Sequence, residues 1–167
     1  MKKFFLKKRQ KPKNQLELHN LKKVKKIISV QADPIEKIDI KTDTTFLLLL
    51  EAQERGYEIF WYETKRLSLI NKKVIASGNF INLFKNKKKF YKKTRYIELD
   101  LSKSKYLLIR QNPPFNMDYI NSTFYLEKVK KSVKIVNDPT AVRNISEKFY
   151  SSKFIKYMPP TIFTRDI

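Results

Sequence analysis

The stretches VKKIISVQADPI (residues 24–35), DTTFLLLLEAQERG (43–56) and YEIFWYE (57–63) decide the fold. The first turns apolar and β-branched and is stopped at Pro34, the pattern of a buried strand running into a loop. In the second, Phe46, Leu49, Leu50 and Gln53 recur near helical spacing and Gly56 ends the run. Asp43 or Thr44 supplies the short side-chain oxygen that caps such a helix by accepting an orphan first-turn amide. The third stretch has the aromatic and β-branched content of a strand. Strand, helix, strand opens an α/β unit with a right-handed crossover.

Downstream, LSLI and VIAS flank Asn71-Lys72-Lys73 and read as a hairpin at or beside the sheet edge. Residues 82–93 are basic and without period, which predicts an exposed loop with Phe84, Phe90 and Tyr91 available as anchors. Strand character returns over 105–110 and is stopped by Pro113-Pro114, since proline lacks the amide that a ladder needs. A helix is expected from Asn116 through YINSTFYLEKVKK, then a short strand VKIV, then a short helix capped by Thr140 and holding Arg143, Asn144, Glu147 and Lys148. The chain then crosses Pro159-Pro160 and ends in TIFTRDI, a strand-like run that reads as cut from something longer. The expected fold is α/β: a mostly parallel sheet flanked by helices, with an added hairpin, over residues 24–167. A basic, mobile tail over 1–23 precedes it, because Lys pairs, polar residues and Pro12 leave no continuous apolar face.

Composition narrows the chemistry. A length of 167 residues fits one domain plus a tail. With no cysteine and only His19, disulfides, cysteine metal sites, thiol catalysis and histidine clusters are excluded. The longest apolar run, Phe46 to Leu50, is far short of the roughly 20 residues that span a bilayer, and the N-terminal Phe4-Phe5-Leu6 block is shorter than the about 7–15 apolar residues of a secretory signal. A cytoplasmic protein with no membrane partner is expected. The net charge of +21 is concentrated in residues 1–31 and 71–95. Such blocks can attract nucleic acid or another anionic partner, but charge alone describes solubility and non-specific binding, and nucleic acid is not the expected partner.

The two glycines, Gly56 and Gly78, make no phosphate-cradling loop. Asp33, Glu36, Asp39 and Asp43 are close in sequence, but Lys37 and Lys41 interleave them, so a solvated loop and a helix cap fit better than a metal site. Asp33-Pro34, residues 110–115 and residues 137–143 each follow an expected parallel strand, and ligands of open α/β sheets gather outside those strand ends. There Arg110 is the strongest candidate, because its planar fork can hold a carboxylate through two parallel hydrogen bonds. Taken alone, a strand-end salt bridge is the more ordinary use for it.

Four ordered blocks resemble one family. VQADPI with DTTFLLLLEAQERGYEI and YETKRLSLIN is similar to the start of prokaryotic glutathione synthetases; LLIRQNPPFNMDYINSTFYLE, IVNDPTAVRNISEKF and PPTIFTRD resemble its later segments. The resemblance runs over roughly residues 24–166 and implies a Rossmann-like, pre-ATP-grasp domain. Members join γ-glutamylcysteine to glycine, with ATP and magnesium held by an ATP-grasp part that starts where this chain ends. The resemblance thus implies no cofactor in this chain, a γ-glutamylcysteine-like peptide and the missing ATP-grasp domain or chain as partners, and self-assembly of the complete enzyme. It carries Asp33, Asp43, Thr44, Thr45, Arg110 and Asn112 onto the peptide-binding wall, with Asn137 and Arg143 shaping the neighbouring loop and no catalytic group. The sequence departs from the family pattern at Asn112 and Asn116, amides in place of acids, and at Ala32 in place of Met. An amide keeps the shape of a carboxylate and removes its charge.

Overall fold

The computed structural model describes residues 26–146, 148–164 and 166. The basic tail over 1–23, the expected first strand residues Val24 and Lys25, Glu147, and the chain end at Ile167 lie outside the described residues.

Seven strands form one sheet: β1 (Lys26–Gln31), β2 (Tyr57–Tyr62), β3 (Leu67–Ile70), β4 (Lys73–Leu83), β5 (Tyr91–Asp100), β6 (Tyr106–Ile109) and β7 (Lys134–Val136). Strands β2, β1, β6 and β7 lie side by side in that order and are parallel, with Gln31 level with Tyr62 on one side and Ile109 on the other. Helix α1 (Thr44–Glu54) connects β1 to β2, and α2 (Met117–Val129) connects β6 to β7. The short α3 (Pro139–Asn144) follows β7. The expected strand-helix-strand unit and the doubly covered parallel core are present.

Each helix covers one face. On one side Phe46, Leu49 and Leu50 of α1 bury against Ile28, Val30, Ile59 and Trp61. On the other, Leu126 and Val129 of α2 bury against Phe60, Tyr62, Leu107 and Ile109. Because side chains alternate across a strand, β1 sends Val30 to the first layer and Gln31 to the second. Gln53 fastens α1 to the antiparallel flank: its amide donates to the Leu83 carbonyl at 2.9 Å and accepts the Leu83 N–H at 2.8 Å.

The antiparallel flank is larger than the sequence predicts. The expected hairpin exists, with β3 and β4 joined through Asn71 and Lys72, whose φ values of 47° and 66° give the left-handed backbone that suits the twist of a two-residue turn. The expected loop over residues 82–93 is a correction: β4 continues to Leu83 and β5 begins at Tyr91, leaving only residues 84–90 as the connection. Strand β5 pairs with β4 alone and its lysines point outward; Leu99 is its one buried side chain, so backbone hydrogen bonds carry most of its definition. Three smaller expectations also change. Asp138, not Thr140, caps α3, its carboxylate accepting the Ala141 N–H at 3.0 Å, and α3 ends at Asn144, before Lys148. Residues 149–157 form a kinked 3-10 segment, and residues 161–164 form no strand, since no neighbouring strand pairs with them.

Candidate functional site

Strand β1 passes to β2 on one side and the chain later returns on its other side as β6, so the strand order reverses between β1 and β6. The loops leaving those two strands diverge there, and the carboxyl end of such a switch point is the usual ligand crevice of an open α/β sheet. Asp33 leaves β1 on one side; Arg110 leaves β6 on the other, its N–H donating to the Gln31 carbonyl at 2.7 Å as the last step of the ladder. The N-terminus of α1 brings Asp43, Thr44 and Thr45 to the same place, with the Asp43 carboxylate accepting the Thr45 N–H at 2.6 Å.

These residues fix one another. Arg110 Nε donates to Thr45 Oγ1 at 2.8 Å and Arg110 Nη2 to Thr44 Oγ1 at 3.0 Å. Both acceptors are neutral, and Arg110 makes no ion pair among the described residues, so its charge is oriented without being neutralised. Asp33 Oδ2 accepts the backbone N–H of Asn112 at 2.9 Å, and the Asp33 carbonyl accepts the indole N–H of Trp61 at 3.0 Å. Asn112 therefore enters the site through its backbone, a contact that amide-for-acid replacement of its side chain leaves intact.

Six of the eight sequence-derived candidates, Asp33, Asp43, Thr44, Thr45, Arg110 and Asn112, surround one narrow pocket and the shallow cleft of about 370 Å³ that opens from it. Asn137 and Arg143 stand apart. They line a wider cleft of about 730 Å³ with Gln111, Phe115, Tyr119 and Ile145, outside the ends of β6 and β7. Arg143 is occupied by its own fold: Nη2 pairs with Glu127 at 3.0 Å, Nη1 reaches Thr123 at 3.3 Å, and the guanidinium lies 4.2 Å above the Phe124 ring. That clamp ties α3 to α2 and sets the loop after β7. Asn116 has a structural task as the cap of α2, accepting the Tyr119 N–H at 3.0 Å.

Sequence reasoning missed two contributors. Gln31, fully buried at the end of β1, donates to Gln111 Oε1 and to Ser122 Oγ, each at 3.0 Å, and so supports the loop after β6 from beneath. Its polarity inside an apolar strand was the signal. Tyr119, in the first turn of α2, packs its ring at a tilt against Phe115 and lines both the wider cleft and a smaller one of about 150 Å³ shared with Asp33, Thr64 and Asn112. Burial holds its phenol above the ordinary tyrosine range; the Arg110 charge works against that rise and the Asp33 charge adds to it.

Neither of the chain's two glycines stands where a phosphate-cradling loop needs one. Gly56 closes α1 and Gly78 lies within β4, so neither opens a strand-to-helix phosphate loop. No group of three acidic or histidine side chains converges among the described residues. Nor is any described helix long and apolar enough to cross a membrane.

Comparison with known proteins agrees with this architecture. Residues 27–143 match the family described as "Prokaryotic glutathione synthetase, N-terminal domain". The chain is 41% identical over 139 residues to the glutathione synthetase of Mesorhizobium japonicum, covering 83% of this chain and 44% of that protein. It is 38% identical over 140 residues to that of Bradyrhizobium diazoefficiens, with 84% and 45% covered. For the enzyme of Escherichia coli the identity is 37% over 140 residues, with 83% and 44% covered. The chain thus spans less than half the length of these relatives. It belongs to the family of prokaryotic glutathione synthetase N-terminal domains.

Proposed function

We propose that this chain is the substrate-side domain of an ATP-dependent ligase of glutathione biosynthesis, forming one wall of the site for a γ-glutamylcysteine-like peptide and requiring an ATP-grasp part for catalysis. The observation that carries this reading is the unneutralised Arg110 guanidinium, braced by Thr44 and Thr45 at the switch point. Such a fork binds a carboxylate through paired donors, and bracing it beforehand lowers the ordering cost of binding. Pro113 and Pro114 restrict the neighbouring loop in the same sense. Asn137 and Arg143 shape the adjoining cleft in this reading, without contact to the reacting atoms. The chain supplies position and charge, and no general acid, base or nucleophile.

On this reading ATP and magnesium belong to the ATP-grasp part. The partner is that domain or chain, and a cytoplasmic setting and self-assembly of the complete enzyme go with it. In the lysine-rich flank Lys85, Lys93 and Arg95 are engaged by Glu54, Glu36 and Glu58, and no observation there favours a second reading.

Mixing the purified chain with the C-terminal half of the Escherichia coli enzyme tests the proposal. Neither part alone should ligate γ-glutamylcysteine to glycine or turn over ATP, and together they should do both. Ligation by the chain alone would overturn the division of labour. Absence of dipeptide binding by the chain, together with absence of complementation, would overturn the substrate-domain reading itself.

A further inference from the structure

The loop after β6 is tied twice to one buried residue. The Arg110 N–H donates to the Gln31 carbonyl at 2.7 Å, and on the next residue Gln111 Oε1 accepts the Gln31 side-chain amide at 3.0 Å. The same amide donates to Ser122 Oγ, which in turn donates to the Tyr119 carbonyl in the first turn of α2. Gln31 thus holds both ends of the segment that joins β6 to α2.

Stability does not account for this arrangement. Gln31 has no exposed surface and lies level with two buried residues of the adjacent strands, Tyr62 and Ile109. Its Oε1 is buried, as is Gln111 Nε2, and neither has a hydrogen-bond partner among the described residues. Buried polar atoms left unpaired are costly, and a half-satisfied network is less stable than apolar packing of the same shape. An apolar side chain at position 31 would remove one orphaned atom and free the Gln111 amide to turn toward the clefts that Gln111 lines. Ser122 Oγ would keep its bond to Tyr119. Alternation shows what the network does instead. Successive residues of an extended chain face opposite ways, so holding Gln111 toward α2 turns Arg110 toward α1, where Thr44 and Thr45 receive it.

We propose that Gln31 is a positioning residue, which orients the Arg110 guanidinium through Gln111 from beneath the sheet end, at the expense of stability. Being fully buried, it touches no ligand. The orientation itself stands on the contacts above; its consequence for peptide binding rests on the substrate-domain reading.

The test combines nuclear magnetic resonance of the isotope-labelled chain, thermal melts and calorimetric titration with γ-glutamylcysteine on Gln31→Met, Gln111→Ala and, as a control, Ser29→Ala. Met keeps the unbranched shape of Gln without its hydrogen-bonding atoms. In Gln31→Met and Gln111→Ala the Arg110 Nε–H, which donates to Thr45 at 2.8 Å in the wild type, should exchange faster with solvent. The dissociation constant of the dipeptide should rise about fivefold, as expected where one long side chain has to be ordered on binding. The Tm of Gln31→Met should be unchanged or raised. Ser29→Ala removes the buried 2.6 Å hydrogen bond to Ser104, farther back on the same face of β1, and should lower Tm while leaving Arg110 exchange and dipeptide affinity as they are. Gln111→Ala, whose change lies in the loop, decides the matter where Gln31→Met folds poorly. Unaltered exchange of the Arg110 Nε–H in both variants would overturn the proposal. So would a lowered Tm in Gln31→Met with Arg110 changes of equal size in Ser29→Ala, which would make Gln31 a packing residue only. Faster exchange with an unchanged dissociation constant, or with no dipeptide binding by the wild type, would uphold the orienting role of Gln31 and count against the substrate-domain reading.

Discussion

The carboxylate of Asp33 accepts the backbone N–H of Asn112 at 2.9 Å, joining the loop after β1 to the loop after β6 across the point where the strand order reverses. This bond bridges the crevice, while Arg110, two residues earlier, is held by its own N–H on the Gln31 carbonyl at 2.7 Å. The side chain of Arg110 is then aimed by Thr44 and Thr45 of α1.

Arg110→Lys is expected to weaken binding of the γ-glutamyl dipeptide by about tenfold, equivalent to about 1.4 kcal/mol. A lysine keeps the charge but loses the planar fork and the paired donors to Thr45 and Thr44. In the complemented enzyme the change should appear as a raised KM with kcat little altered, the signature of lost ground-state binding. Arg95→Lys on β5, outside the crevice, should leave KM unchanged. Equal KM values for wild type and Arg110→Lys would remove Arg110 from the binding wall.

Gly78→Ala should destabilise the fold. A Cβ at that position would stand 2.4 Å from the Trp61 carbonyl oxygen and 2.9 Å from Tyr62 Cβ, so strand backbone must move to admit it. Overpacking of this kind costs about 1–3 kcal/mol. At Gly56 a Cβ meets nothing within 4 Å, but φ is +82°, so Gly56→Ala carries only the left-handed backbone penalty of about 1–2 kcal/mol. Thermal melts of both variants check this; an unchanged Tm for Gly78→Ala would mean that β2 and β4 are less closely packed than described.

The parallel half of the fold was legible because its signals are local and redundant. Around β1 and α1, apolar period, the Asp43 cap and Gly56 all point to the same boundaries, and Arg110 could be placed at a strand end because Pro113-Pro114 stops the run after it. Strand β5 was hidden for the opposite reason. Lys92, Lys93 and Arg95 are exposed along an edge, where charge is tolerated and deters pairing with another chain, so no alternation of apolar residues marks the ladder. The Tyr119 and Gln31 contributions were hidden too, since they depend on how α2 sits against the sheet. Arg143 was legible as an arginine near the site, but its engagement by Glu127 and Phe124 arises only when α3 folds onto α2.

Gln53→Ala should loosen the attachment of α1 to the antiparallel flank. The substitution removes both partners of the Leu83 backbone, its N–H and its carbonyl, at a buried strand end. A buried polar group left unpaired costs about 1–3 kcal/mol. The loss should be visible as a lowered denaturant midpoint and as faster exchange of the Leu83 amide, with the Gln31–Gln111 contact on the opposite face undisturbed. Undiminished protection of the Leu83 amide would show that Gln53 is not what shields this strand end.

Acid should release the junction of α2 and α3 before the sheet. Asp138 is held below its ordinary carboxylate value by its pairing with Lys130 and then by the Ala141 N–H, and Glu127 is held below its own by Arg143 and then by Thr140. An unfolded chain would titrate both groups at ordinary values, so folding is favoured by their ionisation at all pH above those values. That contribution fades as pH falls past the ordinary values and through the lower folded ones, and it is gone below both. Because both pairs are open to solvent, the effect is local rather than global. Amide spectra taken from about pH 6 down to about pH 3 should show the Ala141 amide, which donates to Asp138 at 3.0 Å, changing and exchanging faster while core amides of β1 stay protected. In an Asp138→Asn, Glu127→Gln double variant this acid step should flatten. A wild-type-like acid step in that variant would assign the transition to other carboxylates.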